Sequence, residues 1–374
     1  MRLWRQGLFT VCAAGWIQPA AADWALNLPT PKSDIAARIH DIHTLILLVC
    51  LGIFIVVFGV MFYALFKHRK SVGHPARHFH EHTTVEVVWT VIPLLILVGM
   101  AWPATRAVLD QKDTSNPDLT IKVTGYQWKW EYDYLGDGVK FISTSSTPAG
   151  QIANQEAKGA HYLLEVDEPL VVPVGKKVRV LLTSHDVIHA WWVPELGVKQ
   201  DAVPGFIRDT WFRANQPGTY RGQCAELCGR GHAFMPIVVE VKSEADYQTW
   251  LAARQAGGQA RAVAAREAAG KTFSVGELKA SGEKVYASHC AACHQADGKG
   301  LPGVFPGLAG SRIANGPAAA HIDRVLHGKD GTAMTAFQDQ LDDAELAAVI
   351  TYERTAWGNQ GSPVQPADVK AGRK

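Results

Sequence analysis

At 374 residues and a formal net charge of +2, the chain lacks the concentrated basic balance of a phosphate-binding protein, which excludes nucleic acid as its main partner. The length allows two or three domains. A hydrophobic content of 47% with 12 tryptophans points to a membrane contribution, averaged over regions of very different character.

Residues 1–22 read as a signal peptide: Arg2 and Arg5 precede a mostly apolar run from Leu8 to Ile17, and "PAAAD" offers small residues for cleavage after Ala22. Cys12 would leave with it. Residues 23–114 follow as an outer N-terminal segment and a membrane hairpin, with helices expected at about 43–66 and 87–107. His43 to Phe66 contains no Asp, Glu, Lys or Arg, and at about 1.5 Å per residue it covers the roughly 30 Å hydrocarbon core. Val87 to Thr105 does the same, with Pro93 inside it. Between them Lys67, Arg69, Lys70 and Arg77 mark a cytoplasmic loop, so the chain after about Ala107 lies outside. His68, His74, His78, His80 and His82 crowd that loop, which reads as solvated rather than as a metal site. Glu86 heads the second helix on the cytoplasmic side, where a carboxylate is favourable with the helix dipole.

From Leu119 the pattern becomes that of short strands rich in β-branched and aromatic residues: "LTIKVTGYQWKWEYDY", "HYLLEV", "PLVVPVG", "KVRVLLTS", "RDTWFRA", "GTYRGQC" and "MPIVVEV", separated by Pro, Gly and Asp signals. An antiparallel sandwich or barrel is expected over 115–242. Residues 243–275 read as a short helix and a linker, with Gly257 and Gly258 in the middle. A compact helical unit is expected over 276–360, followed by a C-terminal tail, 361–374.

Two strings carry the chemistry. In "GQCAELCGRGHAFMPIV" (222–238), Cys224, Cys228, His232 and Met235 fall close together. An oxidising compartment would permit a disulfide, and cysteine with histidine would permit zinc. Neither explains Met235, whereas thiolate, imidazole and thioether together suit copper, and two cysteines bring enough sulfur to bridge two metal ions. A further histidine should come from an earlier strand end, where "SHDVIHAWWVPELG" offers both His185 and His189. The second string, "CAACH" (290–294), is the attachment sequence for a c-type haem: Cys290 and Cys293 would form thioethers and His294 would bind iron. Its alternative is a redox or zinc C-x-x-C with a coincidental histidine.

"HDVIHAWWVPELGVKQDAVPG" followed by "YRGQCAELCGRGHAFMPIVVE" resembles subunit 2 of cytochrome c oxidase, in its cupredoxin domain with the binuclear copper centre CuA. The resemblance covers nearly all of residues 35–242. It implies a ligand set of His189, Cys224, Cys228, His232, Met235 and the backbone carbonyl of Glu226, with the thiolates bridging two copper ions. It further implies that Trp128 receives electrons beside the copper. Glu86 would lie at the mouth of a proton path into subunit 1, and the Glu226 side chain would bind magnesium at the subunit 1 interface. "GEKVYASHCAACH" followed by "GVFPGLAGS", "GTAMTAF" and "LAAVITYERT" is similar to a class I cytochrome c, which implies Met334 as the sixth haem ligand. Thr335 stands where that family often has proline.

The expected architecture is therefore multidomain: a two-helix transmembrane hairpin, a cupredoxin-like antiparallel β sandwich and an all-α class I cytochrome c domain. The function implied is electron input to a haem–copper terminal oxidase of the bacterial inner membrane, with both redox domains on the periplasmic side. Its partners would be subunits 1 and 3 and a soluble or membrane cytochrome c or other donor. A copper-centre subunit of a nitric oxide reductase is the alternative enzyme, and a copper-delivery protein the alternative outside enzymes.

Overall fold

Two long apolar helices open the computed structural model, which describes residues 27–73, 80–329, 332 and 334–373. The expected signal peptide, as well as His74 and His78, lies outside the described residues. Helix α1 runs Asp34–Lys67 and α2 runs Thr83–Lys112, both long and apolar enough to cross a membrane. Each exceeds the expected span, because charge ends a membrane segment without ending a helix. At 34 residues α1 is about 51 Å long, well beyond a hydrocarbon core of about 30 Å.

The surplus turns join the hairpin to the next domain. Ser33 caps α1 by accepting from Ala36 N at 3.0 Å, and its hydroxyl donates to Leu196 O at 2.6 Å. Gly197 has φ +67°, and a Cβ there would sit 2.7 Å from the Ala36 Cα, so glycine is required twice over. From α2, Asp110 O accepts the Trp211 indole N–H at 3.0 Å, and Thr114 donates to Asp209 at 2.6 Å.

The β domain contains β1 (Leu119–Tyr126), β2 (Lys129–Tyr134), β3 (Val139–Ser143), a short α3 (Ala149–Ile152), β4 (Leu170–Pro173), β5 (Val178–Ser184), β6 (His189–Val193), β7 (Val198–Ala202), β8 (Arg208–Phe212), β9 (Gly218–Cys224) and β10 (Pro236–Lys242). One sheet has the order β3-β2-β1-β5-β8 and the other β4-β10-β9-β6-β7. Alternation in β2 sends Trp130, Tyr132 and Tyr134 into the core between them. Six of the eight pairings are antiparallel, while β1–β5 and β4–β10 are parallel, joins that the strand pattern does not disclose.

"HYLLEV" forms no strand. Its backbone is satisfied largely locally, by Tyr162 N to Gly159 O at 3.2 Å and Leu164 N to His161 O at 2.9 Å. Its backbone pairing with a neighbour is confined to the Ser145–Val166 bridge and Ser146 N to Glu165 O at 3.1 Å, while the Glu165 carboxylate pairs with Arg221 of β9 at 2.7 Å.

The expected helix and linker is instead one helix, α4 (Glu244–Ala269), carrying Gly257 and Gly258 within it. Each glycine costs about 1 kcal/mol relative to alanine, which the alanine-rich flanks and packing outweigh. Tyr247 and Leu251 bury against the sandwich, and Arg254 pairs with Glu168. Helices α5 (Val275–His289), α6 (Ala291–His294), α7 (Arg312–Asn315), α8 (Ala318–His327), α9 (Asp343–Thr355) and α10 (Pro366–Gly372) complete the C-terminal domain. A Cβ at Gly282 would fall 2.0 Å from Ala348 O, which is how closely α5 crosses α9. The expected tail is part of this domain: Val364 and Val369 are fully buried in its core, apolar anchors that the short segment hid.

Candidate metal centre

The metal-binding candidates meet at one end of the sandwich. β9 ends on Cys224, the following loop supplies Glu226 and Cys228, a short turn holds His232, and Met235 leads into β10. β6 begins with His189. Cys224 Sγ lies 3.9 Å from His189 Nδ1, 3.3 Å from Glu226 O and 3.8 Å from Cys228 Sγ. Cys228 Sγ lies 3.5 Å from His232 Nδ1 and 3.6 Å from Met235 Sδ. The two sulfurs are too far apart for a bond of about 2.05 Å, yet both could reach a shared metal at about 2.3 Å. Each sulfur also has its own further donors: His189 Nδ1 and the Glu226 carbonyl beside Cys224, and His232 Nδ1 and Met235 Sδ beside Cys228. This soft donor set fits copper.

His185 and His189 separate cleanly. His189 is fully buried among the donors, whereas His185 is exposed and stacks on Tyr126 at 5.1 Å. Asp186, which the sequence reading passed over, orients His189: its carboxylate accepts from His189 Nε2 at 2.9 Å and from the amides of Gln127 and Val187 at 2.7 Å each. With the proton on Nε2, the Nδ1 lone pair faces Cys224. Burial works to raise the Asp186 pKa, but these hydrogen bonds hold it below the ordinary carboxylate value. Burial likewise opposes the His189 imidazolium, and Asp186 and Cys224 outweigh it, raising the His189 pKa. The thiols share one proton between them: hydrogen bonding from Cys228 favours the Cys224 thiolate, which in turn drives the Cys228 pKa up.

Trp128 lies across this loop. Its indole N–H donates to Cys228 O at 3.1 Å, alongside the Gln127 amide at 2.8 Å. A Cβ at Gly231 would come within 2.2 Å of the Trp128 ring, so the ring lies flat on the loop only because that residue is glycine.

In the C-terminal domain, Cys290 ends α5, and Cys293 and His294 follow within α6. His294 Nδ1 lies 2.9 Å from Pro306 O, which fixes the proton on Nδ1 and leaves Nε2 available to iron. Burial pushes the Cys290 and Cys293 thiols up, as suits neutral sulfurs destined for thioether bonds. Met334 is half-buried against the same core as Cys290 and Leu308. Among these donors the site fits a covalent haem.

Comparison with known proteins agrees with this division. A family model described as cytochrome c oxidase subunit II, periplasmic domain, matches residues 119–242, and its transmembrane-domain counterpart matches 21–106. The "Probable cytochrome c oxidase subunit 2" of Rickettsia felis is 35% identical over 258 residues, 68% of this chain and 80% of that protein. The chain belongs to the cytochrome c oxidase subunit 2 family. The Cereibacter sphaeroides cytochrome c oxidase subunit 2 is 39% identical over 239 residues, 60% of this chain and 78% of that protein. The crystal structure of the periplasmic domain of subunit II of cytochrome oxidase from Bradyrhizobium japonicum is 41% identical, covering 38% of this chain and 98% of that one, with a TM-score of 0.35. Beyond the subunit 2 region, residues 277–352 match a model described as cytochrome c oxidase, cbb3-type, subunit III, so this family member carries a C-terminal cytochrome c domain. It is a subunit of an oxidase complex and serves electron transfer there, anchored by two helices with its β domain in the periplasm.

Glu86 and the Glu226 side chain stand outside both donor sets. Glu86 sits in the first turn of α2, its carboxylate accepting from His82 N at 3.0 Å. The Glu226 side chain is exposed, and only its carbonyl faces Cys224.

Proposed function

We propose that this chain is the electron-input subunit of a haem–copper terminal oxidase in the bacterial inner membrane. Electrons would come from a soluble or membrane-bound cytochrome c, or another donor, and leave for subunit 1, beside subunit 3, with proton translocation coupled to the flow. The copper pair and the haem supply the one-electron redox chemistry. His189, Cys224, Cys228, His232, Met235 and the Glu226 carbonyl would hold the copper, and Cys290, Cys293, His294 and Met334 the haem.

One observation carries this reading. Trp128 touches both domains, its indole hydrogen-bonded to Cys228 O at 3.1 Å and its ring edge-on to Phe305 of the cytochrome domain at 6.1 Å. Phe305 neighbours Pro306, which orients His294. A short run of contacts thus joins the residues that would hold the two groups, as electron transfer between them requires. The exposed Glu226 carboxylate is free to bind magnesium toward subunit 1, so Glu226→Ala should release that ion and spare the copper, which needs only the backbone carbonyl. Glu86, on the opposite side of the membrane, would take up protons.

The test is rapid mixing of the purified complex with reduced donor. Haem should be reduced first, followed by loss of the mixed-valence copper signal in electron paramagnetic resonance. Cys224→Ser, one sulfur short of a bridge, should remove that signal while the haem still reduces. A persisting mixed-valence signal in the variant, or copper reduced ahead of haem, overturns the reading.

A further inference from the structure

Alternation in β2 turns Trp130, Tyr132 and Tyr134 into the sandwich and therefore sends Lys129 and Glu131 to the outer face. Charged residues on such a face are ordinarily solvated. Here Lys129 is only 8% exposed and Glu131 5%. Glu131 is paired within the sandwich, with Lys140 Nζ at 3.2 Å, whereas Lys129 is met by the cytochrome domain. Lys129 Nζ donates to Gln340 Oε1 at 2.8 Å and stands 5.3 Å from the Phe337 ring centre and 5.6 Å from that of Tyr126. Phe337 in turn lies edge-on to His289, the residue before Cys290, at 6.3 Å.

We propose that Lys129 is the latch that seats the cytochrome domain on Trp128, so that the chain occupies its own electron-accepting surface and keeps external protein donors off it. The proposal deepens the electron-input reading and rests on it. A buried cation is an expensive way to hold two domains together, and burial holds the Lys129 pKa down to about 8. What the cation contributes is direction. An apolar side chain would tolerate sliding, whereas the ammonium, already beside Tyr126 and Glu131 of its own domain, gains a hydrogen-bond acceptor and a second ring face from the cytochrome domain only where Gln340 and Phe337 meet it. That one seating also brings Phe305 against Trp128. Electron transfer weakens steeply with separation, so the latch would set how much of the time the two sites are close enough. An external donor would then have to meet the cytochrome domain on a face other than the one turned to Trp128.

The test uses the purified oxidase complex with Lys129→Met, which keeps the stem and removes the charge, and with Gln340→Ala. Each variant should slow haem-to-copper transfer after flash reduction of the haem by roughly tenfold, the factor expected for one charge-assisted hydrogen bond. Copper content, the mixed-valence signal and the haem spectrum should not change. The double variant should be no slower than the singles, because both act on one contact. Independently of electron flow, Lys129 should resist acylation by an amine-reactive ester in the unaltered complex and become labelled in Gln340→Ala. Equal labelling of Lys129 in both, or transfer rates within twofold of the unaltered complex in both single variants, overturns the latch. Failure of reduced haem to pass electrons to copper in the unaltered complex sinks the electron-input reading instead, and the labelling still reports on the latch.

Discussion

Replacing Asp186 by alanine removes one carboxylate that serves three donors: His189 Nε2 at 2.9 Å, Gln127 N at 2.7 Å and Val187 N at 2.7 Å. A hydrogen bond to a charged group contributes about 1.5–3 kcal/mol, but the three losses do not simply add. Val187 is exposed, so its amide can turn to water, whereas the fully buried His189 ring cannot. The loss therefore falls mainly on the tautomer and angle of the imidazole, and copper retention should weaken by about 10–100-fold, the range seen when the carboxylate behind a metal-binding histidine is removed. Asp186→Asn keeps an acceptor of nearly the same shape and should fall between. The assay is copper content, and mixed-valence signal per copper, against a graded series of chelator concentrations, with the haem spectrum and thermal melting as controls. A chelation midpoint within twofold of the unaltered chain for Asp186→Ala would refute the reasoning.

Met334→Leu should leave the haem attached through Cys290 and Cys293 but abolish the weak sulfur-to-iron charge-transfer band, because an isosteric hydrocarbon fills the space without a donor. A surviving band would mean that another residue is the sixth ligand. Glu86→Gln keeps an acceptor for the His82 amide and removes the ionisable group, so it separates helix capping from proton uptake. Turnover should fall severalfold in both Glu86→Gln and Glu86→Ala with copper and haem content unchanged, and normal turnover in Glu86→Gln would return Glu86 to a capping role.

The copper-loop candidates were legible because most lie in one short string, where spacing alone brings thiol, imidazole and thioether together. His189 and His185 could not be separated on residue type. Their fates depend on where β6 begins, which puts His189 at the first buried position of the strand and leaves His185 in the exposed loop before it. Asp186 gave no usable signal, since carboxylates at strand ends are common and its role appears only when β1, β5 and β6 converge. Secondary structure failed where local and tertiary preferences disagreed. Gly257 and Gly258 look like a break, yet α4 runs through them because packing at both ends is worth more than two glycines cost. Residues 161–166 look like a strand, yet no sheet edge is offered to them beyond one bridge.

The most consequential of these misreadings concerns the connection between the two redox domains. A flexible segment of roughly 30 residues would let the domains meet at an effective concentration in the millimolar range, with electron transfer waiting on each encounter. A helix behaves differently. The first half of α4 is fixed to the sandwich by Tyr247, Leu251 and the Arg254–Glu168 pair, and its later turns pack against α9 and α10, so the cytochrome domain is carried at a set distance. What a tether would leave to diffusion is then decided at the contact itself. Among the described residues no ion pair crosses between the sandwich and the cytochrome domain. At that contact Lys129 meets a neutral amide and aromatic rings, with Glu131 of its own strand and Asp339 of the cytochrome domain nearby. Such a contact has little long-range attraction for salt to screen, unlike a diffusing donor steered by surface charge. On the proposed reading, step and partner would thereby be separated within one chain: the internal transfer would depend on shape and on Lys129, and charge steering would act where the external donor meets the cytochrome domain.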